Sequence, residues 1–224
     1  MAAESVIYGT IRAVVQPASR GPGRPPAAKA AETRKRILRA AREVFSERGY
    51  DAATFQAIAV RADLTRPAIN HYFANKRELY WEVLQETNAV VVAASVERGR
   101  QETTLAGRVS AFIQGSIAAE IENRTAAAFL ITATLESQRH PELSRTDVDS
   151  VQTTREFLLW AINDGIQSGE LTSGTDASAL AETLIAVLLG VGFYAGFVGS
   201  RYELDPVTEQ LRQLLAHGLA PRSD

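Results

Sequence analysis

Residues 33–79 read TRKRILRAAREVFSERGYDAATFQAIAVRADLTRPAINHYFANKREL. Ile37, Leu38, Ala41, Val44 and Phe45 fall at i, i+1, i+4, i+7 and i+8, which lays them on one face of a helix. Arg34, Lys35, Arg36, Arg39 and Arg42 crowd the other positions, and Arg48-Gly49 closes the helix. Thr54 carries the side-chain oxygen of a good N-cap and opens a second helix whose apolar positions are Phe55, Ile58, Ala59 and Ala62. Asp63-Leu64-Thr65 forms a turn, and Arg66 to Phe73 makes a third helix. Two short helices joined by such a turn are the unit that lays its second helix in the DNA major groove.

The charge pattern supports that reading. The 224-residue chain has a net charge of −2, which by itself argues weakly against a nucleic-acid partner. From Arg20 to Glu82, however, there are 13 basic and 7 acidic residues, whereas Val83 to Asp224 holds 10 basic and 18 acidic. A basic head on an acidic body is expected of a protein that presents one end to phosphates. The absence of cysteine excludes disulfides, zinc-thiolate sites and thiol catalysis, and fits a cytoplasmic protein. Three histidines (His71, His140 and His217), with no paired-histidine motif and no Gly-rich phosphate loop, give no support to an enzyme, a metal or a cofactor.

Outside the head, the periodicity is helical throughout. Ser19–Ala28, rich in proline and glycine, reads as an extended arm, so residues 1–30 are expected to be flexible. In that arm Gly23-Arg24-Pro25 resembles minor-groove hooks, with Arg24 entering a narrow A·T groove. Glu4 and Arg12 interrupt the mildly apolar start, which is no signal peptide. Asn75 can cap a long helix from Lys76 to about Arg100 with Leu79, Val83, Val90, Val91 and Ala94 as its buried stripe. Further helices are expected from Leu105 to about Asn123, after Thr125 to Gln138, from about Val148 to Ser168, over Asp176–Gly199 and over Pro206–His217. The expectation is an all-α protein of about nine helices: an arm (1–30), a helix-turn-helix DNA-binding domain (31–75) and a ligand-binding and dimerisation domain (76–224).

With these residues in place, the chain resembles the tetracycline-repressor (TetR) family of transcriptional regulators. The resemblance rests on Thr-Arg-x-x-Ile-Leu-x-Ala-Ala at 33–41, Phe45 before Gly49-Tyr50, Ile58-Ala59 followed by Ala62, Thr65-Arg66, His71-Tyr72-Phe73, Lys76 and Leu79. It implies a homodimer in which each subunit has a three-helix DNA head, a ligand-binding core and two C-terminal helices that pair with the partner's. Tyr72 and Lys76 match family positions that clamp phosphates. Asp63 stands where the family usually has a turn glycine, and aspartate tolerates the left-handed conformation. Asn70 replaces a common tyrosine, so base preference does not carry over from relatives.

The residues of the third helix divide by chemistry. Thr65 can cap the helix and touch phosphate, and Pro67 fits a helix start, where no N–H is needed. Ile69 and Phe73 face the head's core. Arg66 and Asn70, four apart, share a groove-facing side, arginine suiting guanine and asparagine adenine at about 1–3 kcal/mol each. Ala68 can meet a thymine methyl, Thr54 and Gln56 are phosphate or base-edge candidates, and His71 either packs near the backbone or contacts DNA.

For the body, the large apolar Phe112, Ile113, Phe129, Ile131, Leu158 and Trp160, interspersed with Thr132, Thr134, Gln138 and Asn163, are candidate lining for a small-molecule pocket, because such pockets are apolar with a few placed polar groups; Phe112, Phe129, Thr132, Trp160 and Asn163 are singled out among them. The scarcity of basic clusters favours a lipophilic effector. Thr183–Ser200 carries no charge and is at the lower limit of a membrane span. Its tight polar bounds, Glu182 and Arg201, instead favour a packed interface and no membrane. Gly192 and Gly196 form a small-x-x-x-small pair beside Leu188, extended by Ala186, Gly190 and Gly199, with Val207, Leu211, Leu214 and Leu215 of the last helix facing them across a dimer interface. The functional expectation is a DNA-binding regulator, in the form of a repressor released from a palindromic operator by its effector. The rival is an architectural binder without base preference, and activation in place of repression stays open.

Overall fold

The structure, a computed structural model, describes residues 26–123, 125–144, 149–199 and 201–218. Most of the expected arm, Arg24 included, lies outside them. The first helix, α1 (Pro26–Ala52), begins well before Thr33 and takes in the end of that arm. Proline is tolerated in a first turn because its missing N–H has no intrahelical partner there. The helix is interrupted at Gly49, whose φ of 73° and ψ of 177° are non-helical. Ile37, Leu38, Ala41, Val44 and Phe45 are all buried, as their spacing requires. Arg42 is buried too, against the expectation of a solvated basic face, with Nε 3.4 Å from Thr125 Oγ1 of the body.

Helices α2 (Phe55–Arg61) and α3 (Arg66–Tyr72) start as the capping chemistry dictates. Thr54 Oγ1 accepts from the Ala57 N–H at 3.1 Å, and Thr65 Oγ1 accepts from the Ala68 N–H at 3.4 Å. Between them Asp63 adopts φ 51°, the left-handed conformation that the turn demands. Asn75 Oδ1 caps the next helix through the Glu78 N–H at 2.9 Å.

That helix runs as α4 (Lys76–Asn88), a π turn (Ala89–Ala93) and α5 (Ala94–Arg100) without a break. The π turn corrects the expected stripe: Val90 and Ala94 are exposed, and Val91, Val92, Ser95 and Val96 are buried. Val83, Thr87, Val91, Ser95 and Gly99, four apart, are all buried. In a regular helix four such steps drift by roughly 160° around the axis. A wider turn absorbs the extra residue and holds them on one side.

The body follows with α6 (Leu105–Asn123), α7 (Ala126–Arg139), a 3₁₀ turn (Pro141–Leu143), α8 (Ser150–Gln167), α9 (Ala177–Phe193), a second π turn (Tyr194–Val198) and α10 (Arg201–Gly218). Asp149 and Asp176 cap α8 and α9, and α10 starts a turn earlier than Pro206. Taking α4–α5 as one, the described residues form nine continuous helices and no strand.

Two apolar cores result. One fills the body between α5, α6, α8 and α9. The other fills the head, but its members include Phe129, Ala133 and Leu143 from the body. Phe129 is fully buried, 5.7 Å from the Tyr80 ring and 6.5 Å from Phe45. It therefore joins head to body and does not line a pocket. At the same junction His140 Nε2, just past α7, lies 3.2 Å from Asp51 Oδ2 of α1 and 3.5 Å from Glu136 Oε2. Phe129→Ala is expected to cost about 3–5 kcal/mol in urea denaturation. Trp160→Ala, at a side chain 41% exposed, should cost less than half as much.

Candidate DNA-reading head and core cavity

On α3, Arg66, Pro67, Asn70 and His71 are exposed, Ala68 and Tyr72 are half-buried, and Ile69 and Phe73 are buried. The helix thus points its arginine and asparagine outward while two apolar anchors hold its other side. Thr54, Gln56 and Thr65 are also exposed, and each threonine's cap uses only an acceptor lone pair, leaving its O–H able to donate to a phosphate. The Tyr72 ring meets His71 edge-on at 5.3 Å.

Several basic residues of the head are committed to its architecture. Arg36 of α1 donates from Nε to the Ala62 carbonyl at 2.9 Å and from Nη2 to that of Asp63 at 2.8 Å, tying α1 to the turn. Arg61 braces α2 on α1 through Glu43 at 3.0 Å and Glu47 at 2.7 Å, and its hydrogen bond holds the Glu47 carboxyl below the usual range. Arg34 pairs with Glu82 and lies 5.0 Å over the Phe73 ring.

Lys76, the expected phosphate clamp, has contacts within the head. Its Nζ donates to the carbonyls of Tyr50 at 2.7 Å and Asp51 at 3.1 Å, and it sits 4.3 Å over the Tyr50 ring. A cation on the last carbonyls of α1 satisfies groups that the helix end leaves unpaired. Two of its three N–H donors are used in this way. The sequence held no signal for the contact, because the partner atoms are backbone carbonyls 25 and 26 residues away.

The body encloses an apolar cavity of about 110 Å³. Val91 and Val92 of the first π turn, Phe112 and Ile113 of α6, Leu130 and Ile131 of α7, and Leu188 and Gly192 of α9 supply much of its wall. Of the five residues singled out only Phe112 is there, while Ile113, Ile131 and Thr134 of the wider candidate set line it as well. Phe129 is in the head's core. Thr132 is half-buried, its hydroxyl donating to the Ala128 carbonyl at 2.8 Å. Trp160 lies outside beneath Arg108, 4.4 Å from its ring, and Asn163 is exposed with its amide donating to the Leu159 carbonyl at 2.8 Å. The cavity face of α7 is Ala127, Leu130, Ile131 and Thr134, a clean i, i+3, i+4, i+7 set that periodicity could have supplied.

The small-residue strip is corrected as well. A Cβ on Gly196 would lie 2.8 Å from the backbone of Ala128, and one on Gly192 would lie 3.4 Å from Ile131 Cδ1. These glycines let α9 and its π turn approach α7 of the same chain. Leu188, Leu211 and Leu215 likewise face the body core. The outward positions are Ala186, Gly190, Phe193 and Phe197, at i, i+4, i+7 and i+11, with Val207 and Leu214 of α10. Helix α9 with its π turn (177–198) is long and apolar enough to cross a membrane, yet Ala181, Leu184 and Ile185 on its inner side belong to the body core.

A three-helix head bearing an exposed arginine and asparagine, joined through a long helix to a hollow helical body, has known counterparts. The family model described as bacterial regulatory proteins, tetR family, matches residues 37–83, and that described as the C-terminal part of BetI-type transcriptional repressors matches 105–220. The chain belongs to the TetR family of transcriptional regulators. The regulator UidR of Escherichia coli K12 is 24% identical over 163 residues, 73% of this chain and 81% of UidR. The transcriptional activator FasR of Mycolicibacterium smegmatis is 48% identical over 54 residues, 24% of this chain and 25% of its own. Among solved structures, the TetR family regulator PfmR of Thermus thermophilus superposes with a TM-score of 0.66 at 21% identity, covering 83% of this chain and all of PfmR. This TetR-family chain is thus a DNA-binding regulator and no enzyme. Lys76→Met should lower its melting temperature by a few degrees, on the order of 1–2 kcal/mol. The slope of log affinity for DNA against log salt should stay unchanged, whereas loss of a phosphate clamp would reduce it by about one.

Proposed function

We propose that this TetR-family protein is a cytoplasmic, homodimeric repressor that reads a near-palindromic operator and releases it when a small apolar molecule enters the body cavity. The observation that carries the reading is the placement of Val91 and Val92. They form part of the cavity wall and stand on the same continuous helix that begins at Lys76, directly after the recognition helix. A ligand that favours a different packing around these valines shifts the head, by as much as its affinities for the two conformers differ.

Arg66 and Asn70 are the base readers in this account, with Ala68, His71, Pro67, Tyr72, Thr54, Gln56 and Thr65 alongside the groove or its phosphates. Dimerisation uses the outward side of α9 and α10. Phe193 is 51% exposed and Leu214 70%, and apolar residues aligned on two adjacent helices make a surface suited to a second copy. Two heads then address successive major grooves about 34 Å apart. Repression is favoured by the match of the body to a BetI-type repressor C-terminal part, while the activator FasR is similar over 54 residues, so likeness to the family alone does not fix the sign.

Selection from random duplexes should return a two-fold symmetric motif, and Asn70→Ala or Arg66→Ala should relax one position of each half-site by about 1–3 kcal/mol. Retention of DNA with no motif would favour the architectural binder. In sedimentation, Phe193→Asp combined with Leu214→Asp should convert dimer to monomer with the helical circular dichroism retained.

A further inference from the structure

We infer that the effector is an amphiphile whose head group donates hydrogen bonds and carries no negative charge, such as an alkyl chain ending in a hydroxyl. The inference rests on the cavity being the effector site and specifies what that site takes. Beside the apolar cavity lies a second compartment of about 390 Å³ whose lining is mixed and more polar than that of the first. Thr134, Ser150 and Val151 line both, so a molecule filling the first presents its end to the second.

Three hydroxyls around this junction, those of Thr134, Ser137 and Thr154, have spent their hydrogens. Thr134 donates to the Leu130 carbonyl at 2.9 Å, Ser137 to that of Thr134 at 2.8 Å, and Thr154 to that of Ser150 at 2.8 Å. Each oxygen therefore offers a ligand only lone pairs. The charged groups point the same way. Arg155, the cation among the described residues of that compartment, is held by Glu182 at 2.6 Å and Gln152 at 2.9 Å. Asp149, on the same wall, adds a carboxylate whose Oδ1 already accepts from the Val151 and Gln152 N–H groups. Tyr80, Ser150 and Gln138 can act in either role. Apart from Tyr80, Ser150 and Gln138, a carboxylate head would meet, among the described residues, acceptors, an acidic neighbour and a cation already paired. A hydroxyl head satisfies the junction and keeps its chain in the apolar cavity.

The test is calorimetric titration of the full-length protein with three eight-carbon chains: 1-octanol, its methyl ether and octanoate. The expected result is that 1-octanol binds about tenfold more tightly than either of the others, the range of one satisfied hydrogen bond. Thr134→Val, which keeps the shape and removes the acceptor, should bring 1-octanol to within about twofold of the ether without weakening the ether. Thr134→Ser should keep the preference. Equal binding of the ether, or tighter binding of octanoate, would overturn the donor requirement while leaving the cavity as effector site. Binding of none of the three would remove the effector reading itself and this inference with it.

Discussion

The burial of Phe129 in the core of the DNA head is the contact on which the rest of the molecule depends. Three helices of 27, 7 and 7 residues have too little apolar surface to close a core by themselves. The head is completed from outside, by Leu79, Tyr80 and Val83 of α4 and by Phe129, Ala133 and Leu143 of the body. Tyr80 meets Phe45 at 5.0 Å and Phe129 at 5.7 Å, so the aromatic contacts run from α1 through α4 to α7. Burial raises the pKa of the Tyr80 phenol, which keeps it neutral within that cluster. Head and body are consequently not two cores linked by a rod.

The same helix that carries α7 into the head also carries Leu130 and Ile131 into the cavity wall. Adjacent residues thus face opposite tasks, Phe129 toward the head's core and Leu130 toward the cavity. The π turn at Ala89–Ala93 gives α4–α5 a comparable double allegiance, one register for the head and another for the cavity. π turns are wider and less well bonded than α turns, which suits a place where packing must change. In the proposed mechanism, displacement around the cavity passes to the head through these two packed helices and needs no loop.

The head was legible in the sequence because its determinants are local. Thr54, Thr65 and Asn75 cap through atoms three residues away, and Asp63 takes its left-handed conformation within a single turn. The body's helices were legible for the same reason, their ends being set by Asp149, Asp176 and Pro141. Which face of each helix meets what was not. Phe129 and Trp160 look like pocket residues by size, yet one is enclosed by the head and the other lies outside beneath Arg108. Gly192 and Gly196 read as a helix-crossing strip, which they are, but the helix they meet is α7 of their own chain. Lys76 binds carbonyls that no side-chain pattern marks. Long-range partners decide all of these positions, and a single sequence does not state them.

Amide hydrogen exchange under native conditions measures the shared core most directly. If α7 completes the head, the amides of 37–45 in α1 and 129–133 in α7 should open together, with one common free energy near that of global unfolding. Exchange of the α1 amides through a separate opening of much lower free energy, while α7 stays protected, would contradict the account, because the head would then be an independent unit with no packed path to the cavity.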